Sequence, residues 1–161
     1  MLTYEKAHEL FEYLPNGELQ RKVTTSPKSI KGMIVGNSDL RRYKYFSFNG
    51  VKYYNHRIVW LIHHKYKPKH IDHINGNPLD NRNDNLRECS QSQNNWNQGI
   101  KKTNKSGHKG ISWYVRDKRW VAKLNVNGKS HIVGNFINKE DAIKAMEKAR
   151  IKFHKEFARH A

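Results

Sequence analysis

The stretch from His70 to Gln98 constrains this chain more than any other, because it sets dense polar chemistry among residues that should be partly buried. Ile71 and Ile74 flank the pair Asp72-His73 and predict a short strand. The run Asn75-Gly76-Asn77-Pro78-Leu79-Asp80-Asn81 is turn chemistry throughout, and Leu86-Arg87-Glu88-Cys89 reads as the return strand. Ser90 stands three residues before Gln93, the spacing of a capping box, so a helix is predicted to begin at Gln91. The unit is strand, long loop, strand, helix.

Those residues offer a particular donor set. Asp72 supplies a hard anionic oxygen, and a carboxamide oxygen from the helix, from Asn94 or its neighbours, supplies a second hard ligand without added charge. Such a set suits magnesium, which takes about six oxygens and leaves most of them to water and phosphate. His73, with an ordinary imidazole pKa of roughly 6.5, can accept a proton from water at neutral pH. A base and one hard cation together suffice to hydrolyse a phosphodiester. One geometric difficulty stands against this: neighbours in a strand point to opposite faces, so Asp72 and His73 serve one site only if the backbone bends. A plainer reading makes Asn-Gly-Asn-Pro a mere turn and the Asn-rich helix start a solvated one. Zinc at His70-x-x-His73 is weaker still, since one cysteine and no Cys-x-x-Cys pair leave the usual structural set incomplete. His63 and His64 read as helix C-terminal residues.

Asp72-His73, the segment Asp80-Asn81-Arg82 to Asn85-Leu86-Arg87 and the helix Asn94-Asn95-x-Asn97 together resemble the HNH nuclease motif, in the phage and intron-encoded homing endonuclease branch. The upstream run Asn55-His56-Arg57-Ile58-Val59-Trp60 resembles the same branch. The resemblance implies His73 as general base, Asp72 and Asn94 as ligands of one Mg²⁺ or Mn²⁺ ion, and Asn85 as the central Asn that ties down the loop. It implies a ββα-metal finger, whose irregular first strand would relieve the difficulty above. Asn94 is chosen over Asn95 and Asn97 by its spacing from Asp72.

Charge points the same way. Lys and Arg number 31 against 14 acids, and residues 99–161 hold 16 of the bases and only 5 of the acids. Such a field favours nucleic acid or another polyanion, and suits an RNA-binding structural protein as well as a nuclease. The lone Cys89 excludes an internal disulfide and suits a reducing cytosol. No apolar run approaches a membrane span, and Met1-Leu2-Thr3-Tyr4-Glu5-Lys6 reads as no signal peptide.

Ahead of the motif, Ala7, Leu10, Phe11 and Leu14 recur at helical spacing and predict a helix over Thr3 to Tyr13, ended by Pro15-Asn16-Gly17. Residues 18–23 read as a strand and Thr24 to Gly32 as a basic loop. Arg42 to Phe48 and Val51 to Asn55 predict strands joined by Asn49-Gly50, and a helix follows with Ile58, Val59, Leu61 and Ile62 on its apolar side. Tyr43, Tyr45, Tyr53 and Tyr54 fit a small core better than a nucleotide-stacking surface. Behind the motif, residues 99–107 read as a flexible basic linker. Lys109 to Val115, Trp120 to Val126 and Lys129 to Phe136 predict three strands, with Asn127-Gly128 as one turn. Asn138 caps a final helix whose inner face is expected to carry Ala142, Met146, Ala149 and Phe153. Ala122 and Leu124 should face that helix, with Val121, Lys123 and Asn125 outward.

Lys109-Gly110-Ile111, Trp120-Val121-Ala122-Lys123-Leu124, Val133-Gly134-Asn135-Phe136 and Glu140-Asp141-Ala142 resemble the Apetala-two/ethylene-response-factor DNA-binding domain, which lays its sheet in the major groove. The resemblance implies that Lys109, Ser112, Tyr114, Lys123 and Asn125 face DNA. Ser112, Ser130 and Ile132 depart from the plant pattern and so from its sequence preference.

The expected fold is α+β: a ββα-metal (His-Me finger) HNH unit in residues 1–98 with its core at 56–98, a linker at 99–107, and a βββα module at 108–161. The expected activity is metal-dependent hydrolysis of double-stranded DNA by a monomer in the cytoplasm, neither secreted nor membrane-bound. The competing expectations are a non-catalytic DNA-binding regulator and an RNA-binding structural protein.

Overall fold

A computed structural model describes residues 1–38 and 43–159. The chain is a mixed α+β protein that divides into two compact units, Met1–Glu88 and Cys89–Ala161. The division falls ten residues ahead of the expected 98/99 boundary, so the helix of the motif groups with the C-terminal unit.

In the first unit, helix α1 (Tyr4–Leu10) starts where the Thr3 hydroxyl accepts the Lys6 N–H at 3.2 Å. It is shorter than its periodicity predicts. Phe11–Tyr13 forms strand β1, which pairs antiparallel with β2 (Leu19–Arg21), because the turn at Pro15-Asn16-Gly17 folds the chain back on itself. Gly17 is required there: at φ +85° a Cβ would lie 2.4 Å from the backbone nitrogen of Arg82. The hairpin turn thus rests on the loop that follows the Asp-His pair.

Strands β3 (Asn37–Ser38), β4 (Lys44–Phe48) and β5 (Val51–Tyr54) form a three-stranded sheet. Asn49 and Gly50 both have positive φ, the signature of the tight turn that their sequence predicts. Arg42, the expected strand start, lies outside the described residues. Asn55 belongs to helix α2 (Asn55–His64) instead of the strand, and its side-chain amide donates to the Val35 carbonyl at 2.8 Å. Helix α2 ends at His63-His64, as read from the sequence. Its residues Ile58, Val59, Trp60 and Leu61 join Leu2, Leu10, Phe11, Leu19 and Phe46 in the core, to which Ile71 of β6 (His70–His73) and Leu86 of β7 (Leu86–Cys89) also belong. Strands β6 and β7 pair as a two-stranded sheet.

In the second unit, helix α3 (Gln91–Asn97) begins at the predicted residue, with the capping box between Ser90 and Gln93 formed in both directions. Strands β8 (Ile111–Tyr114), β9 (Arg119–Val126) and β10 (Lys129–Phe136) make an antiparallel sheet with β9 central. Helix α4 (Lys139–His154) covers one face through Ala142 and Met146, against Ile111, Ala122 and Leu124.

Three readings need correction here. The buried stripe of α4 is Ala142, Met146, Arg150 and His154, while Phe153 is 44% exposed. The stripe follows steps of four, and its lower half is polar because Arg150 and His154 find backbone acceptors. Val121, expected outward, is buried, since a residue of the central strand has Ser112 and Asn135 beside it on both neighbours. The segment 99–107 is not a featureless tether. Asn104 Oδ1 accepts from the Ser106 and Gly107 N–H groups at 3.0 and 2.9 Å, its amide donates to the His108 carbonyl at 3.0 Å, and Ser106 is buried.

Candidate functional site

Strand β6 brings Asp72 and His73 to different partners. Asp72 is 5% exposed, and its Oδ2 accepts from Arg87 Nε at 2.9 Å and Nη2 at 2.8 Å, across the β6–β7 pair. His73 is 6% exposed, and its Nε2 lies 3.0 Å from Asn81 Oδ1 in the following loop. An oxygen acceptor at Nε2 calls for the tautomer with its proton there, in which Nδ1 carries the lone pair. The rings of His56 and Tyr43 lie 5.2 and 6.0 Å from the His73 ring, centroid to centroid.

Burial pushes the His73 imidazolium below its usual range, against the opposing pull of the Asn81 bond and the charges of Asp72 and Asp80. His56 is pushed down to about 3, chiefly by burial and then by the neighbouring His73 and Arg57. Both imidazoles are therefore neutral at pH 7.

The loop between the strands is tied by Asn85, at the end of a short 3-10 turn (Asn83–Asn85). Its Oδ1 accepts from the Asn75 N–H at 3.0 Å, and its amide donates to Asn75 Oδ1 at 3.1 Å and to the Asp80 carbonyl at 2.8 Å. Asp80 in turn holds Arg82 through Nε and Nη2 at 2.9 and 2.8 Å, and the Arg82 guanidinium keeps its carboxyl down at about 2. Tyr13 of β1 accepts the Asn83 N–H at 3.1 Å.

Asn94, in the second unit, sits in α3 with its backbone N–H on the Ser90 carbonyl at 3.0 Å. Among the described residues no three His, Cys, Asp or Glu side chains gather as a metal site. The donor set read from the sequence is instead one carboxylate and one carboxamide. Asp72 fits a hard divalent cation by that chemistry: it is a buried carboxylate whose Oδ2 is held by the Arg87 guanidinium.

Of the residues expected to face DNA, Ser112, Tyr114, Lys123 and Asn125 are exposed and share the sheet face opposite α4, by strand alternation and register. Arg119, paired with Tyr114, is on that face too. Lys109 is set apart. Its ammonium is half-buried against carbonyl oxygens at the end of α3, at 2.6 Å from Trp96 and 2.7 Å from Gln98.

The sequence reading missed Asn81, Arg87, His56 and Arg119 as members of these arrangements. A buried carboxylate needs a cation, and the return strand of the sequence carries one at Arg87. Nothing local marks Asn81 among seven turn residues.

A protein-family model described as HNH endonuclease matches residues 53–96, a segment that contains Asp72, His73, Asn85 and Asn94. Protein 3.8 of Escherichia phage T7 is 36% identical over 108 residues, which cover 65% of this chain and 87% of the phage protein. The chain belongs to the family of Protein 3.8. Within that family relationship, the HNH segment of the chain supports a nuclease acting on DNA. No solved structure matches the chain. No helix among the described residues is long and apolar enough to cross a membrane.

Proposed function

We propose that this member of the Protein 3.8 family is a metal-dependent endonuclease of the HNH homing type, which hydrolyses phosphodiester bonds in double-stranded DNA. The observation that carries the reading is the buried, neutral His73 held through Nε2 by Asn81, next in sequence to a carboxylate that Arg87 orients. His73 Nδ1 takes the proton of the attacking water, and Asn81 fixes the ring while His56 and Tyr43 shield it. Asp72 and Asn94 would hold one Mg²⁺ or Mn²⁺ ion, Asn94 being assigned by spacing within the matched segment. That ion, when bound, supplies positive charge to the pentavalent phosphate and the leaving oxygen. Asn85 keeps the loop, and with it Asn81, in place.

The C-terminal module would position the nuclease. Residues 99–161 carry most of the excess positive charge, and the sheet face bearing Ser112, Tyr114, Arg119, Lys123 and Asn125 lies open opposite α4. We assign the chain to the cytoplasm of a phage-infected or bacterial cell, acting as a monomer, with residues 1–98 as the nuclease region and 108–161 as the DNA-binding module.

A supercoiled plasmid incubated with the protein tests this reading. Conversion to nicked or linear DNA with Mg²⁺, and none with EDTA, is expected. Binding without cleavage under both conditions would make the chain a DNA-binding regulator instead.

A further inference from the structure

Helix α3 has only seven residues, too few to hold their own shape in water. Its last carbonyls lie past the regular helical ladder, apart from a long 3.4 Å bond that the Asn95 carbonyl accepts from the Gln98 N–H, and need donors from elsewhere. Lys109 Nζ donates to three of them, on Asn95 at 3.3 Å, Trp96 at 2.6 Å and Gln98 at 2.7 Å. Arg159 Nη1 donates to a fourth, on Asn97, at 3.2 Å. The Trp96 ring lies flat on His154 of α4, with centroids 4.2 Å apart and planes 7° from parallel. His154 is itself anchored by Nε2 to the Asn125 carbonyl of β9 at 3.0 Å, and Arg150 of α4 donates to the Lys109 carbonyl.

We propose that Lys109 is a positioning residue that caps α3 with its ammonium, so that the helix bearing the assigned metal ligand Asn94 is built as part of the DNA-binding module. A cation at a helix C-terminus also opposes the negative end of the helix dipole. Burial, with the guanidiniums of Arg150 and Arg159 nearby, draws the pKa of Lys109 down to about 8, whereas a lysine reaching into solvent toward phosphate would keep its ordinary value. The proposal replaces the DNA-facing role that the family resemblance implies for Lys109. The role of Asn94 rests on the nuclease reading; the cap does not.

The full chain carrying Lys109→Met tests it by hydrogen–deuterium exchange and by the salt dependence of duplex binding. Exchange in residues 91–98 should rise about tenfold or more while β9 and α4 stay protected. The slope of log K against log salt should not change, and cleavage should fall in kcat with KM for DNA unaltered. Unchanged exchange in α3 with a slope shallower by about 0.9 would make Lys109 a phosphate contact and overturn the proposal. Should Lys109→Met not fold, Lys109→Arg decides. A rise in α3 exchange smaller than tenfold, with DNA affinity kept, supports the cap; wild-type exchange with lost affinity overturns it. The exchange and salt measurements stand even if the wild-type protein cleaves nothing, so failure of the nuclease reading is seen separately.

Discussion

Arg87 places two N–H groups on one oxygen of Asp72, at 2.9 and 2.8 Å, in a pair whose side chains are only 16% and 6% exposed. A buried carboxylate in strand β6 is thereby neutralised from strand β7 and fixed in orientation. Removing the guanidinium leaves a buried charge without its partner, which costs about 3–5 kcal/mol in comparable sites. Arg87→Ala should therefore lower the urea midpoint strongly at unchanged m-value. Arg87→Lys keeps the charge but loses the fork, and should fall between the two. A midpoint for Arg87→Ala within experimental error of wild type would show that the pair contributes nothing to the fold.

Asn85 is the second element the loop depends on. Its side chain accepts from the Asn75 N–H and donates to the Asp80 carbonyl, and it is buried. Asn85→Ala leaves those groups unsatisfied, at a cost of about 1–3 kcal/mol. Thermal unfolding should show a lower Tm, and cleavage should fall with it because Asn81 loses its setting. An unchanged Tm would remove Asn85 from this role.

The local chemistry of the fold was legible in the sequence. Asn49-Gly50 and Asn127-Gly128 take positive φ at both residues, and Ser90 and Gln93 form the capping box at the helix start that their spacing predicts. Each of those signals depends on residues a few positions apart. The errors share the opposite property. Phe11 pairs with Arg21 across a hairpin, Arg150 and His154 are buried because of carbonyl acceptors far away in sequence, on the turn at Lys109 and on β9, and Lys109 spends its charge on a helix end. A period count scores such polar residues as exposed, since it cannot see their distant partners. The same blindness hid Asn81 and Arg87, whose partners are His73 and Asp72.

His56 gives a pH dependence with a definite sign. Its pKa is about 3 in the folded chain and roughly 6.5 when unfolded. Between those values the unfolded chain binds more protons, so this contribution is fully present above pH 6.5 and is lost as pH falls toward 3. Urea midpoints measured from pH 7 to pH 4 should decline, and His56→Phe should make the decline shallower. Identical curves for the two proteins would mean that His56 is not held neutral by burial.

The open sheet face predicts a division between affinity and selectivity. Lys123 and Arg119 are exposed there, and each phosphate they neutralise should add about 0.9 to the salt slope for duplex DNA. Lys123→Ala and Arg119→Ala should flatten that slope, whereas Asn125→Ala should alter preference among sequences with little change in slope. Slopes equal to wild type for both basic variants would place the DNA elsewhere.

Plasmid cleavage by His73→Ala, set beside its duplex binding, tests the central claim most directly. His73 is buried, neutral and oriented through Asn81, an arrangement suited to accepting a proton and not to holding phosphate. The account predicts cleavage in Mg²⁺ reduced by about 10²–10⁴-fold, the range of a general base, with DNA affinity nearly unchanged. Cleavage by His73→Ala at the wild-type rate would contradict it.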